Sequence, residues 1–320
     1  MADSLRARLL TAVAGHPDGT APYVLALADG DDAGYFAEDS APWIVHAGMG
    51  TFVAGIRALL LQALHPGAMA GVHDWSRYRE DPIGRLAGTV RWIVTLTFGS
   101  TTQADAEVGR VGRFHARVAG EYRTGTGEAR AYSATDGDLV DWVHVAFADA
   151  FLTCHEIWGG PIPGGPDGYV REWATAGRLM GVAEPPQTAA ELRARRDGYL
   201  ARGELRGDER VADVVRFLRR PPFRGSLGFA YRILFAAAVA KIPRDYRRIL
   251  GVRRWSLPVV ALTRVALGIA ERAIGGGPRA QDFARRRLRR LEAQARSGQA
   301  AGEASVGEAS AGGSGADGNV

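Results

Sequence analysis

From residue 1 to residue 296 the apolar positions recur at intervals of three and four, and no stretch alternates strictly with β-branched enrichment. That period predicts an all-α fold. Helices are expected at about 3–14, 49–64, 82–98, 103–122, 136–158, 167–180, 188–202, 208–219, 226–240, 243–250, 256–274 and 279–295. Asp81 followed by Pro82 reads as an N-cap with proline in the first turn, and Asp136 reads as the N-cap of a long apolar run. That run stops at Gly159-Gly160-Pro161, while Pro185-Pro186 and Pro221-Pro222 mark further breaks. With no repeat and no long linker, residues 1–296 are expected to form one helical domain.

After residue 296 the pattern disappears. Residues 297–320 are alanine, glycine, serine and glutamate with almost no large apolar side chain, so they cannot repay the entropy of ordering and are expected to be a disordered tail. No apolar run reaches the roughly 18–20 residues of a spanning helix, because Arg232 and Arg264 interrupt the two best candidates. The N-terminus lacks the long apolar stretch and cleavage site of a secretory signal, and the single Cys154 rules out an intramolecular disulfide. A cytoplasmic location is expected.

The formal charge of +5 is a sum of unlike parts: −9 over residues 1–192, +17 over 193–296 and −3 over the tail. Such asymmetry fits an anionic partner; a compositional preference for arginine gives the same excess. Residues 193–296 carry neither the interleaved aromatics nor a recognition motif of a nucleic-acid groove, so no nucleic-acid partner is expected. Arginine on amphipathic segments such as GFAYRILFAAAVAKIPRDYRR and QDFARRRLRRLEAQAR suits instead a protein resting peripherally on the inner face of a membrane.

Of the seven histidines, His115 is the most informative. Val108, Val111, His115, Val118 and Tyr122 fall on one helical stripe, which turns His115 inward as either a core residue or a ligand. His144 shares a face with Val140, Phe147 and Phe151 and poses the same question. Arg85 and Thr89 stand one turn apart, a rigid fork beside a hydroxyl that could hold an anionic group of a cofactor or pair with a local acid such as Asp81. Zincin HExxH, the Glu-x-x-His of di-iron bundles, the nucleophile elbow, the P-loop and a strand-linked GxGxxG are all absent. Cys154, mid-helix, reads as a packed thiol.

The string LQALHPGAMAGV, the Arg85–Thr89 pair ahead of Phe98-Gly99, His115 before ARVAG, and the later Trp142-Val143-His144 appear in an order that resembles the MpaB-type oxygenase family. This family shares its domain with the latex-clearing rubber oxygenases. The similarity covers about residues 40–258, with the specific motifs between Leu60 and Leu152. The resemblance implies an all-helical domain around haem b, with His115 as the iron's axial ligand and Arg85 and Thr89 close to the haem. It further implies a haem-dependent oxygenase that activates dioxygen and attacks a lipophilic, isoprenoid-like alkene. His65, inside the best-matching motif, is a candidate for lining the distal side, and a helix-end histidine is the competing explanation. Two departures stand out: Gly88 takes the place of a lysine that the rubber enzymes carry just before the threonine, and apolar Met69 lies where their acidic base is expected. Asp74, Glu80 or Asp81 could substitute, and a non-catalytic haem or lipid-binding protein of the same fold is the alternative reading.

Overall fold

The computed structural model describes residues 16, 20–76, 79–124, 126–220, 225–274 and 279–312. The short α1 (Pro22–Leu25) runs into a 3-10 turn at Ala26–Ala28, then come α2 (Ala41–Ala47), α3 (Thr51–Gln62), α4 (Pro66–Trp75), α5 (Pro82–Phe98) and α6 (Thr101–His115). A hairpin of β1 (Ala119–Arg123) and β2 (Ala129–Ser133) follows, paired antiparallel with Tyr122 opposite Arg130. The chain continues through α7 (Gly137–Trp158), α8 (Gly165–Leu179), α9 (Ala189–Ala201), α10 (Glu209–Arg219), α11 (Gly225–Ala240), α12 (Arg244–Ile249), α13 (Val259–Ile274) and α14 (Ala280–Gly312). The all-α expectation holds, apart from this one small hairpin.

Helix ends follow the local chemistry. Asp81 Oδ1 accepts from the Gly84 amide at 2.9 Å, and Ser100 and Gln103 form a reciprocal capping box that starts α6. Asp136 stands at the N-cap position of α7, but its carboxylate turns back to accept from the Ser133 amide at 2.8 Å and closes the hairpin instead. The expected helix 103–122 is corrected: it ends at His115, and Val118 and Tyr122 belong to the turn and strand that follow. These two residues bury with Ala70, Tyr132 and Leu139 in a satellite core, so their spacing from His115 is not helical periodicity. The expected helix 3–14 lies outside the described residues. Helices α1, α2 and α4 were not anticipated; each is short and opens on a proline, Pro22, Pro42 or Pro66, in its first turn.

The main core lies where α3 runs along α7, with α11 against the other side of α3 and α13 outside α11. Trp43, Leu60, Leu61, Trp142, Tyr169 and Trp173 are among its fully covered side chains. A buried ion network fastens this centre: Asp149 of α7 takes a hydrogen bond from Arg57 of α3 and another, at 2.6 Å, from Arg196 of α9. The last helix docks through Arg287, which is fully buried and donates to the carbonyls of Leu27, Ala33 and Phe98 at 2.9, 3.4 and 2.9 Å. Helix α14 continues to Gly312, so the composition break at residue 297 falls inside a helix whose residues 292–299 are exposed. No single helix among the described residues is long and apolar enough to cross a membrane.

Candidate functional site

Helix α5 changes character half-way. Thr95 to Phe98 are all covered, whereas none of the residues described from Gly84 to Val94 is fully buried. On that open half Arg85, Gly88, Thr89 and Trp92 share one face, by the 3.6-residue period. Arg85 Nη1 donates to Thr89 Oγ1 at 2.5 Å, so the two form the unit that their spacing suggested. A Cβ placed at Gly88 would meet nothing within 4 Å. One turn beyond Thr89, the Trp92 indole N–H is buried and has no partner, while its ring meets Phe147 and Trp173 edge-on at 6.0 and 6.1 Å.

Arg85 combines two properties that ordinarily exclude one another. Its residue is solvent-exposed, yet burial lowers its guanidinium pKa, with the charge of Arg110 adding to the effect. The guanidinium end is therefore packed against protein while the rest of the residue reaches solvent. Glu107 clamps α5 and α6 together beside it. This buried carboxylate accepts from Arg91 Nε of α5 at 3.0 Å and from Arg110 Nε and Nη2 of its own helix at 3.0 and 2.5 Å.

His115 ends α6. Its ring is half-buried, and its pKa is lowered by burial first and by the positive charge of Arg85 second, which places the two groups within electrostatic reach of each other. The imidazole is therefore neutral at neutral pH, and no described residue hydrogen-bonds it. Val108 and Val111, half-buried on the same side of α6, supply apolar surface one and two turns before it. Arg85 thus pairs with Thr89 and lies within electrostatic reach of His115.

His65 lies elsewhere. It caps α4, its Nδ1 accepting from the Gly67 amide at 3.2 Å, and the rings of Tyr122, Trp142 and Tyr199 surround it at about 6 Å. Burial pushes its pKa down to about 4 against the pull of Glu204. It opens on a cavity of about 150 Å³ shared with Arg130, Asp138, Leu139 and Glu204, whose lining includes none of Arg85, Thr89 and His115. The structure therefore does not bring His65 into contact with the Arg85–Thr89 pair.

The remaining histidines are core or surface groups. His46, which sequence reasoning passed over, holds Thr97 Oγ1 at 2.8 Å and the Tyr169 hydroxyl at 3.0 Å and is pushed to about 3 by burial and by His155. His144 is buried with its pKa near 4 and packs so close to Gly177 that a Cβ there would come within 2.9 Å of the ring. His73 pairs with Asp74 at 2.8 Å. The Cys154 thiol is buried and driven up to about 12, an inert packed group as expected. The acids proposed to replace a base at Met69 are otherwise occupied or outside: Asp74 holds Arg210 at 2.8 Å, Asp81 caps α5 and Glu80 is exposed, while Met69 itself is in the core. Trp92 and Glu107 escaped the sequence because a lone tryptophan in an apolar helix and a lone acid among arginines carry no periodic signal.

Residues 43–272, from α2 to α13, match the family described as "ER-bound oxygenase mpaB/B'/Rubber oxygenase, catalytic domain". The chain belongs to this family. The match extends further toward the C-terminus than the resemblance over 40–258 and takes in α13. It makes the domain an oxygenase catalytic domain and the protein an enzyme of the oxidoreductase kind. No curated protein and no solved structure matches the chain. Among the described residues no three or more His, Cys, Asp or Glu side chains are grouped to hold a metal ion, so the carboxylate-rich donor set of a di-iron bundle is missing. The neutral His115, within electrostatic reach of Arg85, has the chemistry of a single imidazole ligand instead.

Proposed function

We propose that the protein is a haem b-dependent oxygenase in which His115 ligates the iron and Arg85 and Thr89 flank the macrocycle. The observation that supports this reading best is the neutral His115 ring, without a hydrogen-bond partner among the described residues and within electrostatic reach of Arg85, whose helix face has open space at Gly88. Bound haem would supply an iron at which dioxygen is activated. The chain's own residues do the rest. Burial and the Arg85 charge keep a lone pair on His115 available at neutral pH, as ligation requires. Arg85 offers a desolvated guanidinium for a propionate, with its Nη1 steadied by Thr89. The buried Trp92 N–H provides a further donor on the same helix face. Val108 and Val111 add apolar surface on the His115 side of α6, which suits a lipophilic, isoprenoid-like alkene as substrate. His65, capping α4 over a separate cavity, is given no ligand role in this reading.

A second reading, a haem or lipid binder without turnover, is favoured by one observation: apolar Met69 lies in the core, and Asp74 and Asp81 are engaged by Arg210 and the Gly84 amide. The two are separated by the Soret spectrum of the purified protein, with and without carbon monoxide, and by oxygen uptake with a polyprenyl substrate. Haem binding with alkene-dependent oxygen consumption supports the oxygenase, and haem binding alone supports the binder. His115→Ala is expected to lose the Soret band while His144→Ala and His65→Ala keep it; retention by His115→Ala, or failure of the wild type to take up hemin, refutes the site.

A further inference from the structure

A surface helix of a soluble domain turns polar residues outward. Helix α13 does not. Val259, Thr263 and Leu267 are its buried face, and the opposite face presents Leu262, Val265 and Ile269, which are 39%, 62% and 61% exposed. The segment leading into it adds Trp255 at 40% and Leu257 at 56%. Helix α11, packed beside α13, exposes Phe229 with the Arg232 guanidinium over its ring. A contiguous apolar stripe of this kind on a soluble chain marks an interaction surface.

The charge around the stripe says what covers it. Residues 251–274 carry Arg253, Arg254, Arg264 and Arg272 and a single acid, Glu271, which is already paired with Arg279 at 3.3 Å. All four arginines are exposed, and Arg264 and Arg272 also donate to the Ile157 and Gly268 carbonyls at 2.9 and 3.3 Å. The basic residues of α14, by contrast, are partly consumed inside: Arg285 pairs with Glu38, Arg287 is buried and Arg290 binds the Gly30 carbonyl. A second copy docking through the same patch by two-fold symmetry would set this arginine rim against itself. An anionic lipid surface meets both features at once, the acyl boundary taking Leu257, Leu262, Val265 and Ile269, the aromatic ring of Trp255 lying at the interface, and lipid phosphates meeting the guanidinium groups.

We propose that the face formed by Trp255, Leu257, Leu262, Val265 and Ile269, rimmed by Arg253, Arg254, Arg264 and Arg272, is a docking surface for an anionic membrane. It deepens the expectation of peripheral association and moves it from α11–α12 and α14 to α13, and it does not depend on the oxygenase reading, since its test measures vesicle binding rather than turnover. The full chain is mixed with vesicles of phosphatidylcholine alone or with phosphatidylglycerol and the bound fraction is measured by sedimentation. Wild type is expected to favour the phosphatidylglycerol vesicles; Val265→Glu with Ile269→Glu should lower binding to them about tenfold or more, and Arg253→Gln with Arg254→Gln should abolish the preference for the anionic lipid. Because all four positions are exposed, the variants should melt like wild type in circular dichroism. Absence of wild-type binding, or unchanged binding of the Val265/Ile269 variant, overturns the proposal. A wild-type dimer that this variant dissolves overturns it in favour of a second copy.

Discussion

Asp149 is the position where a single atom change should cost most. Its carboxylate is buried and bridges two guanidinium groups, Arg57 of α3, which is itself fully buried, and Arg196 of α9. Removing one partner of such a network leaves charge without compensation in a low dielectric, a cost of about 3–5 kcal/mol. Here the loss is partly cushioned. Arg196 keeps Asp197 at 2.9 Å, and burial, which works against its charge, is outweighed by the two aspartates that hold its pKa up. Arg57 keeps only the Lys241 carbonyl at 3.1 Å, and its Nε is already buried without a partner. Asp149→Ala is therefore expected at roughly 3–4 kcal/mol, almost all of it from Arg57, and Asp149→Asn, which keeps an acceptor oxygen, at roughly half that. Arg57→Met should cost less than Asp149→Ala, since the aspartate still has Arg196. Urea unfolding followed by circular dichroism measures all three. A cost below about 1 kcal/mol for Asp149→Ala would show that water reaches the pair and that the network is ornamental. Because Phe147 on the same helix packs against Trp92 of α5, Asp149→Ala should also weaken hemin binding.

The clamp between α5 and α6 gives a second prediction: Glu107→Ala frees Arg91 and Arg110, and should weaken hemin binding severalfold with a smaller effect on unfolding than Asp149→Ala; equal hemin affinity would show that the proposed site does not need the clamp. Acid should destabilise the fold in a defined window. His65 and His144 are neutral in the folded state down to about pH 4, whereas the unfolded chain takes up protons below its ordinary value of 6.5. Their contribution is complete above that value and is lost as pH falls from 6.5 toward 4, on the order of 1–2 kcal/mol each by about pH 5. An unfolding midpoint in urea that does not fall between neutral pH and pH 5 would contradict it. Gly67→Ala should destabilise by about 1–3 kcal/mol, since the new Cβ would meet the Tyr122 ring at 2.9 Å and Leu139 at 3.1 Å; a thermal midpoint within a degree or so of wild type would show that the hairpin yields.

The Arg85–Thr89 contact was legible because both residues lie on one helix and the 3.6-residue period alone sets them face to face. The inward turn of His115 was legible for a partly mistaken reason. Val108 and Val111 do share its face, but Val118 and Tyr122 were counted into a helix that stops at His115. The hairpin beyond it buries only Tyr122 and Tyr132, one residue per strand, which is too little alternation to register as a period of two. His65 has the opposite history. Its place in the best-matching motif suggested the site, and the structure gives that motif a local task, with Pro66 in the first turn of α4 and His65 capping it.

The long-range polar contacts were not legible at all, and they change what the charge means. Arg57 and Asp149 are 92 positions apart and Arg287 reaches a carbonyl 260 positions away, separations over which one sequence carries no pairing signal. Arginine in the basic half of the chain therefore does three unlike things. Arg196 and Arg287 are internal fasteners, Arg285 and Arg290 tie α14 to the N-terminal turns, and Arg253, Arg254, Arg264 and Arg272 remain outside around an apolar face. Arg219, Arg220, Arg244, Arg286 and Arg289 are exposed as well. The +17 excess overstates the charge available for steering, and four of the exposed arginines lie in or just before α13, next to the only helix face with three exposed large aliphatic side chains among the described residues. Attraction at a surface of this kind should fall with salt while the apolar contribution persists, so vesicle binding that loses its preference for phosphatidylglycerol at high ionic strength, yet stays above that of the Val265/Ile269 variant, is the behaviour this division of labour requires.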